Sequence, residues 1–173
     1  MAANVMCHIP SLVDVLNGIK LLLKPSGIVI FEDPYLGDVI TKNSYDQFYD
    51  EHVFIFSALA IEKLFSKFGM ELINLKPQIT HGGSMRYYLA HKGFYEKSEN
   101  VQKIINQELD LGLNKEITFN KFSENVKKSR NDLIALLKKL KKEGKTIAGY
   151  AATSKSTTIL NYCGIGPDLI DYI

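Results

Sequence analysis

Tryptophan is absent from the 173 residues, cysteine occurs only twice and proline five times. Cys7 and Cys163 stand far apart, with no CxxC pair and no histidine at ligand spacing, so neither a disulfide framework nor a zinc site is implied and no metal is expected in this segment. An excess of charge of one sign is also missing: 21 basic against 19 acidic residues leave +2. That balance lacks the electrostatic footprint of a general nucleic-acid binder. The small lysine excess falls between Lys121 and Lys145, where it reads as a solvated helix face. No apolar run approaches about 18 residues, and the start lacks the basic-then-apolar layout of a signal peptide, so the expected class is a soluble cytoplasmic protein without membrane contact.

What is present is a core-forming composition, 46% hydrophobic and 23% charged, sufficient for one domain or parts of two. Over residues 11–23, Leu12, Val15, Leu16, Ile19, Leu22 and Leu23 repeat at helical spacing, and the turn Pro25-Ser26-Gly27 leads into the apolar strand Ile28-Val29-Ile30-Phe31. Ahead of them, residues 3–8 read as the end of another strand, so the chain opens strand, helix, strand, an α/β order. Residues 33–56 read as irregular and rich in aromatics. Ser57 is placed to cap a helix with the apolar face Ile61, Leu64, Phe65 and Phe68, which Gly69 stops. Strands are expected over 70–75 and 85–91, and helices over 98–111 and 118–142, the second a connector between lobes. From Gly144 a second α/β unit is expected, with a strand over 145–150, a helix to about Cys163 and a strand start over 169–173.

The densest group of reactive side chains is Tyr49, Glu51 and His52, with Tyr45 nearby, on a loop beyond the C-terminal end of the Ile28 strand. Open α/β sheets hold ligands at that edge. Histidine has the intrinsic pKa to remove a proton near neutrality, a neighbouring glutamate can orient or charge-stabilise it, and a tyrosine hydroxyl can hydrogen-bond a developing enolate. The same residues also suit a loop whose aromatics pack and whose histidine is structural. His8 falls at the same edge, where a structural role is again the plainer alternative. His81-Gly82-Gly83-Ser84 with Arg86 is a turn able to hold an anion through backbone N–H groups and a guanidinium, or simply a turn before a strand. Residues 149–156 nearly match a phosphate-binding loop, but Ser154 stands where that loop needs glycine. A looser phosphate site at a helix N-terminus, with Ser154 and Lys155, remains open.

Three blocks in this order, Tyr49-Asp50-Glu51-His52 with Phe56-Ser57, His81-Gly82-Gly83-Ser84-Met85-Arg86, and Gly149-Tyr150 with Lys155 and Asn161-Tyr162-Cys163-Gly164-Ile165, resemble the three-domain sugar C-methyltransferases. The resemblance covers essentially the whole chain. It implies residues 1–97 as the later part of a Rossmann-like domain binding S-adenosylmethionine, 98–143 as a helical connector, and 144–173 as the start of a second Rossmann-like domain that helps bind a nucleotide-diphosphate sugar. The family's zinc domain and its Gly-rich methyl-donor loop would lie upstream, so a fragment inactive by itself is expected. The resemblance further implies His52 as the base, Glu51 and Tyr49 as its partners, and His8 as a histidine steadying the enolate oxygen. Gly82, Gly83, Ser84, Arg86, Ser154 and Lys155 are the implied substrate contacts. Ala151 departs from the glycine usual in relatives. The rival readings are a phosphate-binding module of P-loop type and a non-catalytic truncated relic.

Overall fold

A computed structural model of the chain describes residues 1–150 and 153–173; the Ala151 departure lies outside them. Four strands, β1 (Ala2–Ala3), β2 (Ile28–Pro34), β3 (Met70–Gln78) and β4 (Ser84–His91), form one mixed sheet in the order β1-β2-β4-β3. The fold is α/β, as the helix–strand order implies. β1 runs parallel to β2, with Ala3 opposite Glu32, while β4 is antiparallel to both its neighbours. Pro34, at the end of β2, pairs with Ser84, at the start of β4. The C-terminal ends of β1 and β2 and the turn entering β4 therefore share one edge.

Helices cover the sheet because their apolar stripes must be buried. From α1 (Leu12–Leu22), Leu12 and Leu16 enter the core; from α3 (Ala58–Ser66), Ala58, Ile61 and Phe65; and from α4 (Glu99–Asp110), Val101 and Ile105. Phe31 is the hub, stacked on Tyr87 at 4.8 Å and on Phe65 at 5.9 Å between ring centroids. Full burial of one such aromatic stabilises by about 1.5–3 kcal/mol. The Ser57 side chain accepts from Ala60 N at 3.1 Å, the cap its sequence position predicts, and Gly69 leaves the helical region at φ 74°.

Three expectations need correction. Residues 3–8 are not the end of one strand: Asn4 turns left-handed at φ 54°, its N–H donates to Glu32 O, and Met6–His8 form a 3-10 turn. Residues 33–56 are not wholly irregular, since α2 (Leu36–Lys42) follows β2 almost directly. Its seven residues include Gly37 and the β-branched Val39, Ile40 and Thr41, which are weak helix formers, so packing rather than propensity sets it. Among the described residues, 145–150 and 169–173 pair as one parallel bridge, Ala148 to Tyr172, and not as a ladder. Two short segments side by side bury too little to extend into a ladder.

The long α5 (Glu116–Lys142) buries Val126 and Leu137 and leads to α6 (Ser154–Cys163), which folds back on the loop after α2. Arg130 Nε donates to Tyr162 O at 3.0 Å, the Thr158 hydroxyl to Phe48 O at 3.3 Å, and Tyr45 Oη lies 3.8 Å from Cys163 Sγ. Among the described residues no helix is long and apolar enough to cross a membrane.

Candidate active site

The shared sheet edge gathers side chains from four segments. The 3-10 turn after β1 brings Cys7 and His8, the end of β2 brings Asp33, the loop after α2 brings Gln47, Tyr49 and His52, and the turn before β4 brings His81 and Gly82. Phe54 N donates to Cys7 O at 3.1 Å and pins the loop to the first turn.

His52 has both ring nitrogens engaged. Nδ1 lies 2.8 Å from the Gln47 carbonyl oxygen and Nε2 lies 2.8 Å from Tyr49 Oη. A carbonyl only accepts, so Nδ1 carries the proton and Nε2 presents a lone pair, to which the Tyr49 hydroxyl donates. Burial lowers the His52 pKa, and the nearby charges of His8 and Lys155 lower it further, while the Gln47 carbonyl and Glu51 pull it up. The net direction is down, which keeps the imidazole neutral at pH 7. Burial first, and then the charge of Glu51, raises the Tyr49 pKa and holds its hydroxyl as a donor. Glu51 itself is exposed and takes neither nitrogen of His52. Of the two expected roles, orienting the ring falls to the Gln47 carbonyl, and Glu51 is left to act on the imidazole through its charge. His8 meets His52 edge-on, with centroids 5.1 Å apart.

The His81 carbonyl accepts from Gln47 Nε2 at 2.5 Å and from Lys155 Nζ at 3.1 Å, so α6 and the loop close over the same turn. Lys42 Nζ donates to Gly82 O at 2.7 Å. His81 at φ 55° and Gly82 at φ 85° keep the turn tight, and a Cβ on Gly83 would strike the Asp38 carboxylate. Ser84 is buried with its hydroxyl donating to Thr80 O. Arg86 is engaged by its cross-strand neighbour: Nε and Nη2 reach Glu32 Oε2 at 2.9 and 2.8 Å. Gly83, Ser84 and Arg86 thus shape the turn, while the carbonyls of His81 and Gly82 take Lys155 from α6 and Lys42 from α2. Ser154, exposed at the start of α6, helps line a cleft of about 430 Å³ with Tyr49, Asp50, Thr157 and Asn161.

A family model described as "C-methyltransferase C-terminal domain" matches residues 79–173, and a methyltransferase-domain model matches residues 1–75. The chain belongs to the C-methyltransferase family. It is 31% identical over 160 residues to the C-methyltransferase NovU of Streptomyces niveus, an overlap of 92% of this chain and 38% of that protein. The chain therefore spans well under half the length of the relative it matches. The family assignment displaces the phosphate-loop reading, and Lys155 reaches the His81 carbonyl rather than arching over its own helix start. β4, inside the span of the C-terminal-domain match, is hydrogen-bonded between β2, inside the other match, and β3, of which residues 70–75 lie inside it.

Two site residues escaped the sequence reading. Gln47 acts through its backbone carbonyl, which no side-chain pattern signals. Asp33 sat in plain view beside Glu32, but only the fold reveals it as a fully buried carboxylate with neither oxygen hydrogen-bonded. The Cys7 thiol and the backbone of Val5 and Cys7 face it without reaching hydrogen-bond geometry, and burial raises its pKa.

Proposed function

We propose that this chain carries the proton-abstracting part of an S-adenosylmethionine-dependent C-methyltransferase acting on a nucleotide-diphosphate keto-sugar, within a longer polypeptide. The observation that carries the reading is the His52 bond from Nδ1 to the Gln47 carbonyl, because it fixes an unprotonated Nε2 beside a hydroxyl donor. His52 Nε2 takes the proton from the carbon next to the ketone. The C–H electron pair moves toward the carbonyl, and the negative charge builds on its oxygen. Tyr49, released from Nε2, donates to that oxygen with His8 beside it, and the Glu51 charge steadies the imidazolium.

S-adenosylmethionine, when bound, supplies a methyl group electrophilic enough to be taken by the carbanion. Ala2, Ala3 and the left-handed Asn4 stand at the edge where an α/β sheet receives such a ligand. Lys155, Ser154 and Gly82 bind the sugar's diphosphate, with Gly83, Ser84 and Arg86 holding the turn in position. The hydroxyl and amide walls of the 430 Å³ cleft suit a hydroxyl-rich acceptor. Residues 1–97 form part of the methyl-donor domain, 98–143 the connector and 144–173 the start of the C-terminal domain; the pairing of β4 within the sheet supports the first boundary.

The test uses the longest reading frame containing this chain, methyl-labelled S-adenosylmethionine and a thymidine-diphosphate 4-keto-6-deoxyhexose, with His52→Asn alongside. Label is expected in the sugar and lost in the variant. Transfer surviving in the variant would move the base elsewhere, and no transfer by the unaltered protein would overturn the acceptor class.

A further inference from the structure

We infer that Cys7, His8 and His52 form a binding site for a thiophilic divalent cation of the zinc class, whose occupancy silences the base. One ligand-capable atom from each, the Cys7 sulfur and a nitrogen of each imidazole, lies within 4.8 Å of the others. Tetrahedral coordination at ordinary zinc–sulfur and zinc–nitrogen distances needs about 3.5 Å between ligand atoms, so a closure of about 1 Å on binding completes the set. Cys7 is buried, and His8 and His52 are half-buried, so the group opens outward through the two imidazoles.

The second observation is Asp33. It is fully buried, neither carboxylate oxygen has a hydrogen-bond partner, and it faces the Cys7 thiol and the His8 charge. A carboxylate in that position costs free energy in the protein alone. It becomes favourable beside a bound cation, as carboxylates behind metal-ligating side chains are. With Nδ1 held by the Gln47 carbonyl, Nε2 is the nitrogen of His52 that can ligate, and the Tyr49 hydroxyl that now donates to its lone pair must turn away on binding. Binding breaks the Cys7 S–H bond, forms a sulfur–metal bond and releases one proton to solvent. Thiolate and cation then leave a single positive charge, which Asp33 offsets.

The cation takes no part in proton abstraction. It occupies the Nε2 lone pair that abstraction requires, and this consequence rests on the function proposed above, whereas the binding itself does not.

The 173-residue chain is titrated with cobalt(II), which reports thiolate ligation by a near-ultraviolet charge-transfer band. A one-to-one complex with that band is expected, lost in Cys7→Ser and retained in Cys163→Ser. His8→Gln and His52→Asn weaken binding by at least about tenfold, and circular dichroism checks that each variant is folded. No band in the unaltered chain, or a band that follows Cys163, overturns the site; the His8→Gln result decides the matter should Cys7→Ser fail to fold. In the longest reading frame, zinc is then added during exchange of the keto-sugar's α-proton with deuterated water. Exchange that falls with zinc and returns with chelator supports silencing. Exchange untouched by zinc despite the cobalt band overturns it. No exchange under any condition counts against the proposed function and leaves the binding result standing.

Discussion

Glu108 and Asp33 are both carboxylates with no exposed surface, and they are held in opposite ways. Glu108, on α4, accepts from Ala58 N at 2.6 Å and Leu59 N at 2.9 Å, so it closes the N-terminus of α3 from a neighbouring helix. The positive end of the helix dipole and two orphan N–H groups make that a natural place for an anion. Asp33, at the end of β2, faces the Cys7 thiol and the Val5 and Cys7 backbone without closing a hydrogen bond. Burial raises the pKa of both, but at Glu108 the backbone bonds and the Tyr35 hydroxyl counter it, whereas at Asp33 the opposing influences come chiefly from Cys7. The core settles its buried charge, and the sheet edge leaves one unsettled beside the reactive histidines. On the function proposed above, stability and chemistry are thereby divided between the α3–α4 side and the edge.

His52→Asn cuts this division most deeply. Asparagine keeps a side-chain amide but no base, so turnover in the longest reading frame should fall about 10²–10⁴-fold, while the thermal midpoint of the chain stays close to its original value. A matching loss of stability would mean that the edge is structural. Glu108→Ala should do the reverse. It leaves two helix N–H groups buried without an acceptor and should lower unfolding free energy by about 3 kcal/mol in a urea titration. An unchanged midpoint would break the contrast from the other side.

Asp33→Asn should raise stability at pH 7 by about 1–2 kcal/mol. The sign follows from its raised pKa. The folded state holds this proton more tightly than the unfolded chain, so the wild-type contribution falls as pH rises from the unfolded carboxylate value through the folded one. The asparagine variant lacks that fall, and parallel stability–pH curves for the two proteins would show that Asp33 is satisfied after all. The pH profile of kcat/KM should rise as His52 loses its proton, with the midpoint below the usual histidine value of 6.5 because burial disfavours the imidazolium. Lys155→Ala should have the smallest effect. Removing a positive charge moves that midpoint upward, and loss of a phosphate contact raises KM for the nucleotide sugar about two- to tenfold.

Much of the fold could be read from local patterns, because α1, α3, β2, β3 and β4 announce themselves by periodicity, by Ser57 and by Gly69. α2 could not, since a seven-residue helix with Gly37 and three β-branched residues carries no propensity signal and is set by what surrounds it. His52, Tyr49 and His8 were visible as a group, and the fold brings them together. The assignment of Arg86 to an anion missed Glu32, its direct cross-strand partner, because a contact between residues 54 positions apart depends on strand register. The device that fixes the His52 tautomer is a main-chain carbonyl, so side-chain chemistry at the sequence level has nothing to detect.

The claim that His52 Nε2 is the base is tested most directly without methyl transfer. The longest reading frame is incubated in deuterated water with the nucleotide keto-sugar and no methyl donor, and deuterium at the carbon next to the ketone is followed by NMR. Incorporation by the unaltered protein, with loss in His52→Asn and survival in Glu108→Gln, is the expected result. Deuterium entering the sugar at an undiminished rate in His52→Asn would contradict it.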